Sequence, residues 1–160
     1  MRKRLITEVE KNGASEELGW MDLERIAEAE ISSEDPQYPF EGAMQAAAKP
    51  AGRGWRAMEP GAQTLRLLFD VPLSIKRIHL SFAETQCART QEYVLRWSAD
   101  GGGVYRDIVR QQWNFNPDGA GAEIEDHQVN LDDVTALELH IVPDIGGGGA
   151  MATLERWRIA

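Results

Sequence analysis

Three short segments that are rich in polar residues, two of them with aromatic residues as well, carry the side chains best suited to bind a ligand. They are Trp55-Arg56, Arg89-Thr90-Gln91-Glu92 and Gln111-Gln112-Trp113-Asn114-Phe115. Aromatic faces stack on sugar rings, arginine presents a rigid fork of N–H donors, and amides both donate and accept hydrogen bonds. These residue types predict a ligand site on loops, formed by Trp55, Arg56, Arg89, Gln91 and Trp113.

Each of these segments also has a purely structural interpretation. Trp55 could close the end of the hydrophobic core with Arg56 stacked over it, and Arg89 and Glu92 could pair with other parts of the chain. Trp113 could lie on the core side of an edge strand with its amide neighbours in solvent. The sequence leaves both interpretations open for every segment.

The remaining reactive residues show no catalytic or metal-binding pattern. His79, His127 and His140 lie in separate apparent strands without a ligand spacing, and no nucleophile motif surrounds Cys87. Gly146–Gly149 lacks the lysine and the Ser/Thr of a phosphate-binding loop. We therefore expect no catalytic residues, no metal, no cofactor and no enzymatic activity.

Composition and charge restrict the classes of partner that this chain is expected to bind. The chain has 160 residues, a net charge of −9 and one cysteine. So acidic a protein repels nucleic acid, so we expect no nucleic-acid partner. No apolar run predicts a membrane partner, and the basic first four residues precede no hydrophobic segment of a secretion signal. The single cysteine cannot form an intrachain disulfide, which fits a reducing compartment. We therefore predict a cytoplasmic protein.

Alternating hydrophobic residues predict many short strands. Leu65, Leu67 and Phe69 alternate with polar residues, which is typical of a strand with one face on a core. Similar patterns predict further strands over residues 75–82, 92–98, 104–115, 127–131, 137–141 and 154–159. Turn residues separate these strands, which indicates one antiparallel β-sandwich or barrel.

The other segments are predicted to be a helix, an extension and loops. The alanine-rich Gly42–Lys49 predicts one short helix, ended by Pro50. Residues 1–19 predict an N-terminal extension before a domain over residues 20–160. We predict a loop over Gly119–Glu125 with its acidic side chains in solvent, and Asp144 as the cap of a turn.

Several of these segments resemble the galactose-binding-like, or discoidin, β-sandwich as it occurs in a family of small bacterial proteins described as carbohydrate-binding or of unknown function. The match spans roughly residues 20 to 160. The segments that carry it are Ile31–Glu34, Tyr38-Pro39, Gly54–Ala57, Gln63–Leu67, Arg89–Glu92, Ser98–Gly101, Gln111–Phe115, Pro143-Asp144 and Ala152–Leu154.

The resemblance implies an all-β antiparallel jelly-roll sandwich acting as a non-catalytic binding module. It implies a carbohydrate ligand, held by loops at one end of the sandwich. Members of this fold commonly bind one structural calcium ion through an acid before the tryptophan and a late glutamate. Here residues 46–53 contain no acid and Arg156 takes the glutamate position, beside Glu155. We therefore expect no calcium site of the usual kind.

A second resemblance implies a different class of function. Ser32–Glu34, Trp55–Ala57 and Pro60–Thr64 are similar to the opening of the N-terminal domain of a scaffold protein of DNA single-strand-break repair. The alternative prediction is therefore a protein-interaction or assembly module, with a protein partner or a second copy of this chain, and without a small-molecule ligand.

Overall fold

The computed structural model describes residues 19–44 and 54–160, and within them it is mostly β-sheet. Two short helices and eight strands follow one another in these residues: α1 Leu23–Ile26, β1 Ala27–Ile31, α2 Glu41–Met44, β2 Trp55–Pro60, β3 Gln63–Ala83, β4 Arg89–Ser98, β5 Arg106–Phe115, β6 Ala122–Val142, β7 Met151–Leu154 and β8 Arg156–Ile159. The prediction of an all-β antiparallel fold is confirmed.

Two long strands form the framework of the fold. β3 and β6 have 21 residues each and pair antiparallel along their length. Their register shifts between Leu68 and Arg77, near Pro72, which cannot donate a hydrogen bond to a ladder. On β6 the irregularity includes Asp133, which has a φ of 56°. Because a bulge bends a strand, both strands turn here from one sheet layer into the other.

The remaining strands pair with one half or the other of this pair. The first half of β3 pairs with β1, and the second half of β6 pairs with β4, which in turn pairs with β5. β8 pairs with the second half of β3, and β2 pairs separately with β7. Two layers therefore face each other, as the resemblance to a jelly-roll sandwich implies.

The core lies between the layers. Leu65, Leu67 and Phe69 are buried, as their alternation predicts, and Phe82 stacks on Tyr93 across the layers with ring centroids 5.3 Å apart. Each buried side chain of this size contributes about 1.5–3 kcal/mol to folding. Other fully buried large side chains are Trp55, Trp157, Phe115, Leu23, Ile75, Ile78, Leu80 and Leu95.

Several predicted boundaries were wrong. The predicted strands over residues 64–69 and 75–82 are one strand, as are those over 127–131 and 137–141, because a bend does not interrupt a ladder. The predicted last strand is two strands, β7 and β8. Of the predicted helix, residues 42–44 are helical and residues 45–49 lie outside the described residues.

The prediction of a solvated acidic loop over Gly119–Glu125 was also wrong. β6 already begins at Ala122, and Glu123 is only 1% exposed. The usual alternation of buried apolar and exposed polar residues is inverted here. Glu123 faces the interior, while the neighbouring Ile124 faces outward and is 67% exposed. Glu123 is tolerated inside because Gln91 of the opposite layer donates a hydrogen bond to it.

Candidate ligand-binding groove

An open groove of about 450 Å³ lies at one end of the sandwich. It is formed by the segment before α2, the first residues of β2, the loop between β3 and β4, and the chain from the end of the β6–β7 loop into β7. Its polar and aromatic lining residues include Tyr38, Trp55, Arg56, Glu84, Thr153 and Glu155. We call this site the end groove.

Trp55 forms the base of the end groove and is only 1% exposed. Its indole Nε1 donates a hydrogen bond to the carbonyl oxygen of Ser33, at 3.0 Å. The residue before it must be glycine, because Gly54 has a φ of 74° and a Cβ there would lie 2.5 Å from the carbonyl oxygen of Leu154. Close contact between β2 and β7 therefore fixes the tryptophan in the core and leaves it little surface for a ligand.

Arg56 lies on one side of the end groove, where it is half-buried. Its guanidinium carbon is 5.9 Å from the centre of the Tyr38 ring, within the range of a cation–π contact. Its backbone N–H donates to the Tyr38 carbonyl oxygen at 3.2 Å. Among the described residues no carboxylate forms a salt bridge with Arg56.

Arg89 lies directly behind the end groove, with no exposed side-chain surface. Its guanidinium donates to Glu84 Oε1 at 2.6 Å, to the Pro143 carbonyl oxygen at 2.7 Å and, at 3.5 Å, to Thr153 Oγ1. It also lies 4.6 Å from the centre of the Phe115 ring. Arg89 therefore contacts the residues that form the groove and is shielded from anything bound in it.

Glu84 is held by these contacts in its ionised form. Burial would raise the pKa of its carboxyl, but hydrogen bonds from Arg89, from the backbone N–H of Gln86 and from the Cys87 thiol lower the pKa below its usual value. Burial, followed by the hydrogen bond from its Sγ to Glu84 at 3.3 Å, raises the pKa of the Cys87 thiol. The thiol is therefore a weak nucleophile at neutral pH.

Gln91 continues this set of contacts into the interior. Its Oε1 accepts a hydrogen bond from Arg89 at 3.3 Å, and its Nε2 donates to Glu123 Oε1 at 3.1 Å. The second oxygen of Glu123 is buried and has no hydrogen-bond partner among the described residues. Burial, and then the nearby carboxylate of Glu125, raise the pKa of Glu123 to about 7.

Trp113 lies directly across from Gln91 on β5 and does not line the end groove. Its ring is half-buried, and its Nε1 is buried without a hydrogen-bond partner in the described part of the chain. Of the five predicted site residues, the structure thus brings Trp55 and Arg56 to the groove. It places Arg89 and Gln91 behind the groove, and Trp113 beside Gln91 on the interior face.

Sequence reasoning did not select several residues that line the end groove. Tyr38, Glu84, Thr153 and Glu155 come from four separate segments of the chain. For Tyr38 the sequence holds one indication of a position in the groove. A residue before proline, here Pro39, favours an irregular segment, and an aromatic side chain in such a segment does not belong to a core strand. For the others no local signal exists, because strand pairing alone brings them together.

Neither a cluster of metal-binding side chains nor a membrane-spanning helix is present in the described part of the chain. Within residues 19–44 and 54–160, no group of three His, Cys, Asp or Glu side chains could hold a metal ion. The segment before Trp55, in which the calcium-binding members have their acid, lies largely outside the described residues. None of the described helices is long and apolar enough to cross a membrane.

The fold is that of known carbohydrate-binding modules. The family 32 module of NanJ from C. perfringens, solved in complex with galactose, superposes with a TM-score of 0.62 at 15% identity, over 88% of this chain and 97% of that one. A chitosan-binding module of a Paenibacillus chitosanase/glucanase superposes with a TM-score of 0.62 at 16% identity, over 88% and 98%. The chain has the galactose-binding-like β-sandwich fold.

Galactose-binding-like domains also occur inside enzymes. A mutant GH29 fucosidase of Ruminococcus gnavus, in complex with fucose, superposes with a TM-score of 0.67 at 7% identity, over 94% of this chain but only 29% of that one. No protein-family model matches the chain, and no curated protein matches it by sequence. At these identities the likeness establishes the fold, and a function has to be argued from the site.

Proposed function

We propose that this protein is a non-catalytic carbohydrate-binding module whose ligand occupies the end groove. The observation that carries the proposal is the groove itself, an open polar concavity of about 450 Å³ on the loops of the sandwich. Loops on a rigid scaffold are where binding residues concentrate. The volume falls in the range of small-molecule sites.

The chemistry of the groove suits a hydroxyl-rich ligand. Arg56 offers N–H donors beside the Tyr38 ring, which can stack on a sugar face. Glu84 and Glu155 also line the groove, and carboxylate oxygens accept hydrogen bonds from hydroxyl or ammonium groups. Donors, acceptors and an aromatic ring around one concavity are the groups that sugar recognition requires.

Electrostatics favours neutral or amino sugars over uronic acids. The chain has a net charge of −9, and the described residues that line the groove include two carboxylates and one arginine. One of these carboxylates, Glu84, is paired with the buried Arg89, so among these residues Glu155 carries the unpaired negative charge at the groove. A ligand carboxylate would be repelled by this field, whereas an ammonium group would be attracted. We therefore expect galactose or glucosamine oligosaccharides to bind in preference to mannuronate oligosaccharides.

Isothermal titration calorimetry with these three probes tests the proposal. Replacing Arg56 by Gln removes charge-assisted hydrogen bonds, so the affinity for the bound sugar is expected to fall about tenfold or more. Tyr38→Ala removes the ring and is expected to give a similar loss. Arg110→Gln, on β5 and exposed, is the matched control and should bind as the wild type does.

Two results would contradict this function. If the wild type binds none of the probes at millimolar concentration, the carbohydrate role fails and the protein-interaction alternative gains support. Light scattering and affinity capture then test that alternative. If binding is intact in both groove variants, the ligand lies elsewhere on the molecule.

A further inference from the structure

The buried guanidinium of Arg89 contacts three chain segments at the end groove. One branch of its guanidinium contacts Glu84 in the β3–β4 loop, another the carbonyl oxygen of Pro143 where the β6–β7 loop begins, and a third approaches Thr153 on β7. Strand pairing and a hydrogen bond from Thr153 Oγ1 to the Ala83 carbonyl oxygen, at 3.2 Å, already bring these segments near one another. The planar fork of Arg89 is the side chain that contacts all three of them at once, and it therefore fixes the positions of their ends relative to one another.

The same guanidinium is connected to the sandwich interior. Gln91 Oε1 accepts from Arg89, and Gln91 Nε2 donates to Glu123, so an unbroken series of hydrogen bonds runs from Glu84 through Arg89 and Gln91 to Glu123. A carboxyl group at the end of a hydrogen-bonded series is unusual in a protein core, where charged groups are rarely left with an unpartnered oxygen.

We infer that Arg89 is a positioning residue for the end groove, and that ionisation of Glu123, transmitted through Gln91, strengthens its contacts with the segments that form the groove. The effect on ligand binding rests on the proposed function. The effect on the position and mobility of the loops does not, and it can be measured without any ligand.

The surroundings of Glu123 set the pH at which this occurs. Arg89 and Tyr93 face it from β4, and Glu125 lies beside it on β6. Burial and Glu125 raise its pKa to about 7, against the opposing effects of Gln91 and Arg89. Tyr93 stays neutral, because burial raises its pKa further. Among Glu123, Arg89 and Tyr93, Glu123 is therefore the group whose charge changes near neutral pH.

Polarisation of the hydrogen bonds determines whether a higher pH strengthens or weakens the contacts of Arg89. An ionised Glu123 is a stronger acceptor for the Gln91 amide, and a polarised amide is in turn a stronger acceptor for Arg89. The negative charge also attracts the guanidinium. Above pH 7 the residues around Arg89 are therefore held more firmly than below it, and the groove loops become more ordered.

Hydrogen–deuterium exchange with mass spectrometry tests this on the full chain. The readout is the protection factor of residues 84–88 and 143–150, which divides out the chemical exchange rate at each pH. In the wild type we expect protection of both segments to rise about threefold or more from pH 6 to pH 8, the effect of strengthening one hydrogen bond. Glu123→Gln should remove this rise, because it cannot ionise.

Arg89→Lys supplies the second arm. Lysine keeps the charge but loses the fork, so protection of both segments should fall roughly tenfold at either pH while β1 and β8 stay protected. Arg110→Lys, whose salt bridge to Glu92 is exposed, should match the wild type. The inference is overturned if Glu123→Gln keeps the wild-type pH dependence, or if Arg89→Lys leaves either segment unchanged.

Galactose titration at pH 6 and pH 8 separates this inference from the proposed function. If galactose binds, its affinity should rise with pH in the wild type and stay constant in Glu123→Gln. A galactose affinity that is independent of pH, alongside pH-dependent loop protection, would overturn the link to the ligand. If galactose does not bind, the exchange experiment still decides whether Arg89 and Glu123 act as inferred.

Discussion

At the scale of single residues, the end groove depends on groups that a ligand never touches. Arg89 has no exposed side-chain surface, yet it contacts Glu84 and Thr153, which line the groove. The sequence drew attention to Arg89 and Gln91 because their segment is dense in hydrogen-bonding groups. It could not separate a residue that touches the ligand from one that positions the residues that do, because that depends on which face of β4 is covered.

Gly54 offers a sharp test of how β2 and β7 shape the groove. Gly54→Ala would place its Cβ 2.5 Å from a backbone oxygen of β7 and would also hold alanine at a φ of 74°. We expect a loss of about 3 kcal/mol or more in the free energy of unfolding, measured by urea denaturation.

Gly61→Ala is the matched control for this substitution. Gly61 has a φ of 90°, but nothing lies within 4 Å of a Cβ built there. Gly61→Ala should therefore lower the free energy of unfolding only through backbone strain, by about 1 kcal/mol. Equal losses in the two variants would show that close contact between the strands does not constrain Gly54.

At the scale of elements, the bend in β3 and β6 is what allows two strands to serve both layers. Asp133 has a left-handed backbone at this bend, with a φ of 56°. Asp133→Val should destabilise the fold by about 1–2 kcal/mol, because a β-branched residue is strained in that conformation.

Asp133→Gly is the control at the same position. Glycine adopts a positive φ without strain, so this variant should unfold at nearly the wild-type urea concentration. If the valine variant is as stable as the glycine variant, the bend does not require a left-handed residue at position 133.

The sequence predicted strand positions far better than strand continuity. Alternation located Leu65, Leu67 and Phe69 on the core face, since local periodicity depends only on which side of a strand is buried. It failed at Glu123 and Ile124, where the usual order of buried apolar and exposed polar residues is reversed. Only the partner across the sandwich, Gln91, accounts for that reversal, and such a contact leaves no trace in local sequence.

The same limit applies to the groove. Trp55 and Arg56 were predicted because they are adjacent in sequence and distinctive in type. Their neighbours in the groove, among them Glu84 and Thr153, come from other loops and strands that only the completed sandwich brings together. Fold-level reasoning could predict which end of the sandwich holds loops, but not which loop residues share one concavity.

At the scale of the whole molecule, the buried carboxyl of Glu123 makes stability depend on pH. Its pKa is about 7 in the folded protein and 4.5 in the ordinary case, so the folded state binds more protons between these values. Its contribution is therefore fully present below pH 4.5 and is lost as the pH rises through 7. The difference between the two pKa values corresponds to about 3 kcal/mol.

Carboxyls with lowered pKa values act in the opposite sense and must be separated from this effect. Glu84 and Asp126 contribute stability above their unfolded-state pKa values and lose it in acid, as the pH falls through their folded-state values. Comparing each variant with the wild type at the same pH cancels these contributions, because both proteins contain them.

Urea denaturation of the wild type and Glu123→Gln between pH 4.5 and pH 8 then isolates Glu123. The wild type should lose about 3 kcal/mol relative to the variant over this range, since only the wild type must place a charge in the core. Glu28→Gln, which removes an exposed carboxylate from β1, is the control and should keep a constant difference from the wild type. A constant difference for Glu123→Gln would mean that folding does not raise the pKa of Glu123. If Glu123 acts as inferred, raising the pH should lower the free energy of unfolding and at the same time make the groove loops better ordered. This combination is expected because Glu123 is costly to ionise in the core but strengthens the contacts of Arg89 once it is ionised. A constant difference would remove the first of these two effects.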